Sequence, residues 1–365
     1  MRDLATILRA ALTGTQAPAI SIDARLAQFA MVRHRVGPIV GAVAARDGLS
    51  VSTEAAEMFR IDADANKDVR ARMKVLTMRV AGAFAAAGIP MLFFKGQSVA
   101  DRLYPVPGWR DVRDADVLVP PASLGPATRA LERVGFALSD PLFALPGFVQ
   151  PAMMRAIRDL HFHDPAADHL FEVHSRLLFS RGLSARLLAD DPSLRPRPLA
   201  SGGALPVPDI GPGFAHYLLL HGCVSGWSRL KWMADLVPLF AKLDDAGRRQ
   251  LAEFAQGAGT AAAVKASLIL AREAFGELAL GPLENWIDED AGTAAVQTRL
   301  KTYAAWLNAP MAGGSPLNSR MASLKSAQFL HDGRLAQLWL LPSGGVSAAF
   351  RTLGKWSKRY ASPRA

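Results

Sequence analysis

Leu4, Ile7, Leu8, Ala11 and Leu12 recur at i, i+3, i+4, i+7 and i+8, which predicts an amphipathic helix at the start of the chain. A second helix is expected over residues 24–36, where Gly37-Pro38 interrupts it, and a shorter piece runs on to 45 before Gly48. Residues 53–87 are alanine-rich with interspersed Arg and Lys and predict helix with one break. No chemistry-bearing pair falls at helical spacing here, so the first third reads as scaffold.

The pattern changes at Gly88-Ile89-Pro90. Residues 91–94 are a short apolar run behind a turn signal, which suits a buried strand. Lys95-Gly96-Gln97-Ser98 follows, then a short helical segment to Tyr104 and a loop at Pro105-Val106-Pro107-Gly108. Residues 115–119 predict a second apolar strand ended by Pro120-Pro121, and 126–134 a helix closed by Gly135. Residues 160–163 and 170–177 predict a hairpin across a turn at 164–168. Beyond the Pro/Gly-rich stretch 192–213 the pattern is helical again. Helices are expected over 216–240 with a break between Gly222 and Gly226, over 257–275, and over 294–307, with a loop at 311–316. The fold class that follows is α+β, with a small mixed β-sheet flanked by N-terminal and C-terminal helical regions.

Composition narrows the classes. Half of the 365 residues are hydrophobic and a fifth are charged, a globular balance with enough chain for two or three packed units. The one cysteine, Cys223, excludes an intrachain disulfide framework and a thiolate-rich zinc ribbon and fits a reducing, cytoplasmic setting. Residues 1–14 carry Arg2, Asp3 and Arg9 through an amphipathic pattern and do not read as a secretory signal. The longest apolar stretch, 80–94, is broken by Gly82, Gly88 and Pro90, and no transmembrane segment is expected. The net charge of +10 first suggests an anionic partner. Its distribution removes most of that suggestion. Residues 1–319 carry 34 basic and 31 acidic side chains, whereas 320–365 carry eight and one. The charge belongs to a tail that suits a membrane surface or an acidic partner, or docks on the domain through Leu and Trp, and no specific nucleic acid is expected.

The candidate chemistry lies between residues 95 and 119. Asp114 and Asp116 are two apart at the start of a strand, so alternation projects both carboxylates from one side. Such a pair repels unless a cation neutralises it, and Mg²⁺ with oxygen ligands suits it; the bland alternative is a solvated pair at a strand end. Gly96, between a strand and a helix, lets backbone N–H groups approach an anion such as triphosphate. Lys95 adds a positive charge, Ser98 a hydroxyl, and Arg110 or Arg113 bidentate contacts to phosphate. Glu172 and His174 share a face of the last hairpin strand. If that strand pairs beside 115–119, Glu172 faces the same cleft as a third carboxylate or as a proton acceptor. Another reading places Zn²⁺ on His161, His163 and His174.

Three blocks in order over about 140 residues resemble the bacterial uncharacterised nucleotidyltransferase family of the DNA polymerase β-like superfamily. They are the 94–119 run with Lys-Gly, Leu-Tyr-Pro and Arg before Asp-x-Asp, then Glu172-Val173-His174-Ser175-Arg176-Leu177, then His221-Gly222 with Gly226-Trp227-Ser228-Arg229-Leu230-Lys231-Trp232-Met233-Ala234-Asp235. The resemblance implies attack on the α-phosphorus of a metal-held nucleoside triphosphate, with pyrophosphate released. It implies Asp114, Asp116 and Glu172 as metal-binding catalytic carboxylates. Gly96 and Ser98 match the phosphate loop, with Lys95 and Gln97 beside them. Gly96 is followed by Gln97 rather than by Gly or Ser, and the gap from Gly96 to Asp114 is longer than the superfamily's usual one. Arg229 and Lys231 are expected to reach nucleotide or acceptor phosphate while a tryptophan stacks on the base. The alternative is that Trp227 and Trp232 pack the helix and Asp235 pairs with a basic neighbour. His163, His174 and Arg229 are candidates for the acceptor side.

The expected layout is a helical region 1–75, a nucleotidyltransferase core 76–190, a linker 191–213, a helical domain 214–319 and a basic tail 320–365. The expected activity is Mg²⁺-dependent transfer of a nucleoside monophosphate to a hydroxyl or phosphate acceptor, a small molecule or peptide natural product. The rivals are an inactive nucleotide-binding or regulatory protein on the same fold and a zinc hydrolase.

Overall fold

The computed structural model describes residues 1–139, 157–165, 169–200, 204–276, 278–309 and 330. The expected tail 320–365 therefore lies, but for Leu330, outside the described residues, as does the expected loop 311–316. The architecture is α+β, and the chain forms two compact units. The first takes in the described residues of Met1–Ala71, Gln97–Arg113 and Ile210–Gln337, the second those of Arg72–Gly96 and Asp114–Asp209.

The first unit is helical, with one short parallel pair, β1 (Ser21–Ile22) beside β2 (Ser50–Val51). Helix Arg2–Thr13 buries Leu4, Ile7, Leu8 and Ala11, the stripe expected from the sequence. The helix expected over 24–36 starts at Ala24, where the Asp23 carboxylate accepts from Leu26 N–H at 2.7 Å, and becomes a π-helical turn over Phe29–His34. This turn aims Arg33 at the carbonyls of Trp306, Ala309 and Ser228, so one guanidinium ties three backbone acceptors from the far end of the sequence. The 216–240 stretch divides into Pro212–Val224, Leu230–Ala234 and Leu236–Lys242, with the break where Gly222 to Gly226 predict it. Gly226 has φ 62, and a Cβ there would meet the Trp306 ring at 1.7 Å; one at Gly222 would meet Trp227 at 2.3 Å. The two glycines make room for two indoles. Helices Asp245–Gly257 and Leu283–Asp290 are additions to the sequence reading.

Helix Thr53–Ala86 belongs to the first unit up to Ala71 and to the second from Arg72. It runs 34 residues without the expected break. No Gly or Pro interrupts it before Gly82, and Gly82 costs a helix only about 1 kcal/mol.

The second unit is built on a five-stranded mixed sheet in the order β3 (Leu92–Phe93), β4 (Ala115–Leu118), β7 (His169–His174), β6 (Asp159–Asp164), β5 (Ala137–Leu138). The predicted hairpin is β6 and β7, antiparallel with His161 opposite Glu172 and Asp159 opposite His174. β4 and β7 run parallel, with Asp116 opposite Glu172 and Leu118 opposite His174. Period-two alternation gives the sheet two faces. Val117, Leu160, Phe162, Phe171 and Val173 are fully buried on one. In the core of the unit they join Met73, Leu76, Val80 and Phe84 of the long helix and Leu124, Ala127 and Leu131 of helix Leu124–Arg133, both sets at helical spacing. The opposite face carries the acids and histidines. Among the described residues no helix is long and apolar enough to cross a membrane.

Candidate functional site

Four side chains converge on that polar face. Asp116, in the middle of β4, is 4% exposed, and its Oδ1 accepts from Lys95 Nζ at 2.9 Å. His174 Nε2 lies 2.7 Å from the same oxygen and 3.2 Å from Glu172 Oε2. An Nε2–H between two carboxylates satisfies both, which is why two acids can stand side by side in a buried ladder. The imidazole is fully buried and meets the edge of the Phe94 ring, centroid to centroid 5.1 Å. Lys95 extends over the same ring at 5.1 Å. The two residues that follow β3 thus supply the aromatic wall and the cation, β4 and β7 the acids.

The electrostatics follow. Burial alone would raise the Asp116 carboxyl. The Lys95 ammonium and the hydrogen bond from His174 overcome it and hold the group far below the ordinary range. Burial likewise pushes Glu172 up, and His174 outweighs that, against repulsion from Asp116. Both are kept anionic, the state in which carboxylates ligate cations.

Among the described residues two groups can converge on one ion, Asp116–Glu172–His174 and Asp159–His161–Glu172. Glu172 is common to both. Asp114 precedes β4 by one residue, is half-buried, and belongs to neither group. The zinc set of His161, His163 and His174 is not formed among them: His161 and His174 fall in different groups and His163 in neither. Same-face neighbours on one strand stand roughly 6–7 Å apart, and His174 turns to the acids instead. Asp159 is the member that sequence reasoning missed. It is buried, accepts from Arg158 Nε at 2.8 Å, and lies 3.9 Å from both His161 Nε2 and His174 Nδ1. Its signal was available in the alternation Asp159, His161, His163.

Gly96 sits at the turn after β3 with φ 63, a left-handed conformation that glycine takes without strain. Helix Gln97–Leu103 follows, with Gln97 and Ser98 half-buried in its first turn.

The remaining candidates belong to the first unit, where each has a protein partner. Arg110, buried, makes a bidentate pair with Asp235 at 2.8 and 2.9 Å, and the Tyr104 hydroxyl donates to the same carboxylate at 2.7 Å. Lys231 Nζ donates to Asp111 O at 3.2 Å and lies 3.7 Å from its carboxylate, which also pairs with Arg113 at 3.0 Å. Arg229 lies over the Trp232 ring at 5.4 Å. Burial first, then Arg35 and Arg33, pushes the Arg229 guanidinium down to about 10. Trp227 is 1% exposed and donates from Nε1 to Ser267 Oγ at 2.8 Å, so this indole packs rather than stacks on a base. Asp235 pairs with a basic neighbour.

The second unit thus carries a small mixed sheet that lines up acids from two parallel strands beside a Lys-Gly turn. The family model for an uncharacterised nucleotidyltransferase matches residues 21–276, and the chain belongs to that family. No curated protein and no solved structure matches it.

Proposed function

We propose that the protein is a Mg²⁺-dependent nucleotidyltransferase that moves a nucleoside monophosphate from a nucleoside triphosphate to a hydroxyl or phosphate acceptor. The observation that carries this reading is the register of β4 and β7, which sets Asp116 opposite Glu172, with Lys95 2.9 Å from Asp116. The donor chemistry fits a hard divalent cation: anionic oxygens from Asp116 and Glu172, with Asp114 next in line on the chain. When bound, the ion would neutralise charge on the triphosphate. Lys95 is then released from Asp116 to meet phosphate oxygens, and the Gly96 turn lets the backbone approach them. The acceptor oxygen forms a bond to the α-phosphorus as the bond to the bridging oxygen breaks, and pyrophosphate leaves in line. A hydroxyl acceptor gives its proton to Glu172, the more exposed acid of the pair at 27% against 4%.

The test is pyrophosphate release and mass-spectrometric detection of a nucleotidylated product, with each nucleotide, Mg²⁺ and native cell extract. Asp114→Ala and Asp116→Asn are expected to lose transfer by a hundredfold or more with the circular-dichroism spectrum retained. Undiminished release in the double variant overturns the assignment. Nucleotide binding that is independent of Mg²⁺ and without turnover transfers the protein to the inactive, regulatory class.

A further inference from the structure

Where β4 and β7 end, the second unit has a half-open cavity of about 830 Å³. Leu118, Pro121 and Leu188 form apolar walls, and Arg176, Arg181 and Arg195 supply the charge. The lining contains three guanidinium groups and no carboxylate. The serines in the wall are turned to the protein: Ser184 Oγ donates to Leu178 O and accepts from Leu178 N–H, both at 3.0 Å, and Ser175 Oγ donates to Arg158 O at 3.1 Å. The charge that a guest would meet comes from the arginines.

Their placement concentrates positive potential. Arg181 opens helix Arg181–Asp190, whose N-cap is Ser180. A cation in a first helical turn adds to the positive end of the helix dipole instead of opposing it. Arg195 is oriented by a 2.8 Å bond from its Nε to Leu188 O. A cavity of this volume encloses a ligand of drug-like size, and a planar fork reads an oxyanion bidentately.

We propose that this cavity binds a small amphiphile, a compact oxyanion carried on an apolar aliphatic or aromatic body. The inference does not depend on the nucleotidyltransferase reading, because the residues that line the cavity are not those of the carboxylate site. Asp116 and His174 each lie at or before the last residue pair of their strands, and the cavity begins at Leu118 and Ser175.

The experiment is titration of the full chain with 1-naphthyl phosphate and 1-naphthoate, followed by calorimetry, with 1-naphthol and inorganic phosphate as controls. Saturable one-to-one binding of at least one anionic probe is expected, tenfold or more tighter than either control. Which anion binds better tells phosphate from carboxylate as the head group. Arg181→Glu, on an exposed side chain, is expected to weaken binding tenfold or more with the melting temperature unchanged, and Arg176→Gln to weaken it as well. Saturating nucleotide with Mg²⁺ is expected to leave the affinity unaltered. Absence of saturable binding, equal affinity for naphthol, full affinity in both variants, or competitive displacement by nucleotide each overturns the proposal.

Discussion

His174 Nε2 stands 2.7 Å from Asp116 Oδ1 and 3.2 Å from Glu172 Oε2, so one imidazole joins two acids whose Cα positions are paired across parallel strands. Neither acid is adapted to solitary burial. Asp116 leans on Lys95, two residues past the end of β3, and on His174 from β7, and each partner comes from a different part of the chain.

Lys95→Met tests that dependence. Asp116 is held below its ordinary range when folded, so its pairing stabilises the fold above about pH 4 and is lost as pH falls through the depressed folded value. The variant is expected to lose about 3 kcal/mol at pH 7, the cost of breaking a buried ion pair. The deficit should be smaller near pH 2 than at pH 7, because the unfolded carboxyl is already protonated there. Urea midpoints at the two pH values check this; an equal deficit at both would remove the ion pair as its cause.

His34 gives a pH dependence of its own. It is fully buried, with Nδ1 accepting from Leu230 N–H at 3.2 Å. Burial, then the Arg33 charge, pushes its pKa down to about 3. The unfolded chain thus binds the extra proton between pH 6.5 and about 3, and stability falls as pH drops across that window, by on the order of 3 kcal/mol. His34→Gln is expected to flatten the slope of melting temperature against pH between 6.5 and 4.

Asp62 has the opposite sign. Burial, then the Asp111 charge, pushes its carboxyl up to about 6, and its Oδ2 is buried without a hydrogen-bond partner. Its contribution is fully present below the unfolded value near 4 and lost as pH rises through 6. Asp62→Asn is therefore expected to raise the melting temperature at pH 8 by a gain on the order of 1 kcal/mol, discounted for partial exposure. Parent and variant should converge at pH 4, which differential scanning fluorimetry would register.

Gly226→Ala addresses packing. The φ of 62 and the Trp306 ring at 1.7 Å leave a methyl group no place. A loss of about 2–3 kcal/mol is expected, as for overpacking and backbone strain together. Trp306→Ala in the same background should recover part of it, and a simple sum of the two losses would show that the contact is not the cause.

The carboxylate site was legible because a strand has a period of two. Asp116, Glu172 and His174 needed only alternation and a pairing of β4 with β7, a condition that the sheet meets, whereas Asp114, one residue before β4, joins neither group. Other parts were hidden for particular reasons. Helix Asp245–Gly257 carries glycine at both ends, which reads as turn until Asp244 is seen to cap it by accepting from Gly247 N–H at 2.7 Å. Arg110 finds its counter-ion, Asp235, 125 positions away, and one-dimensional spacing cannot pair them. The cavity arginines come from a strand end, a helix start and a loop, so no local motif announces them.

The parallel pairing of β4 with β7 has a consequence for how the protein fails. Fifty-six positions separate Asp116 from Glu172, and the ladder that joins them is closed by β6 on its far side. A slip of one residue would turn Glu172 and His174 into the apolar layer and bring Phe171 and Val173 onto the polar face. A one-residue slip therefore costs the apolar layer and the Asp116–Glu172–His174 cluster together.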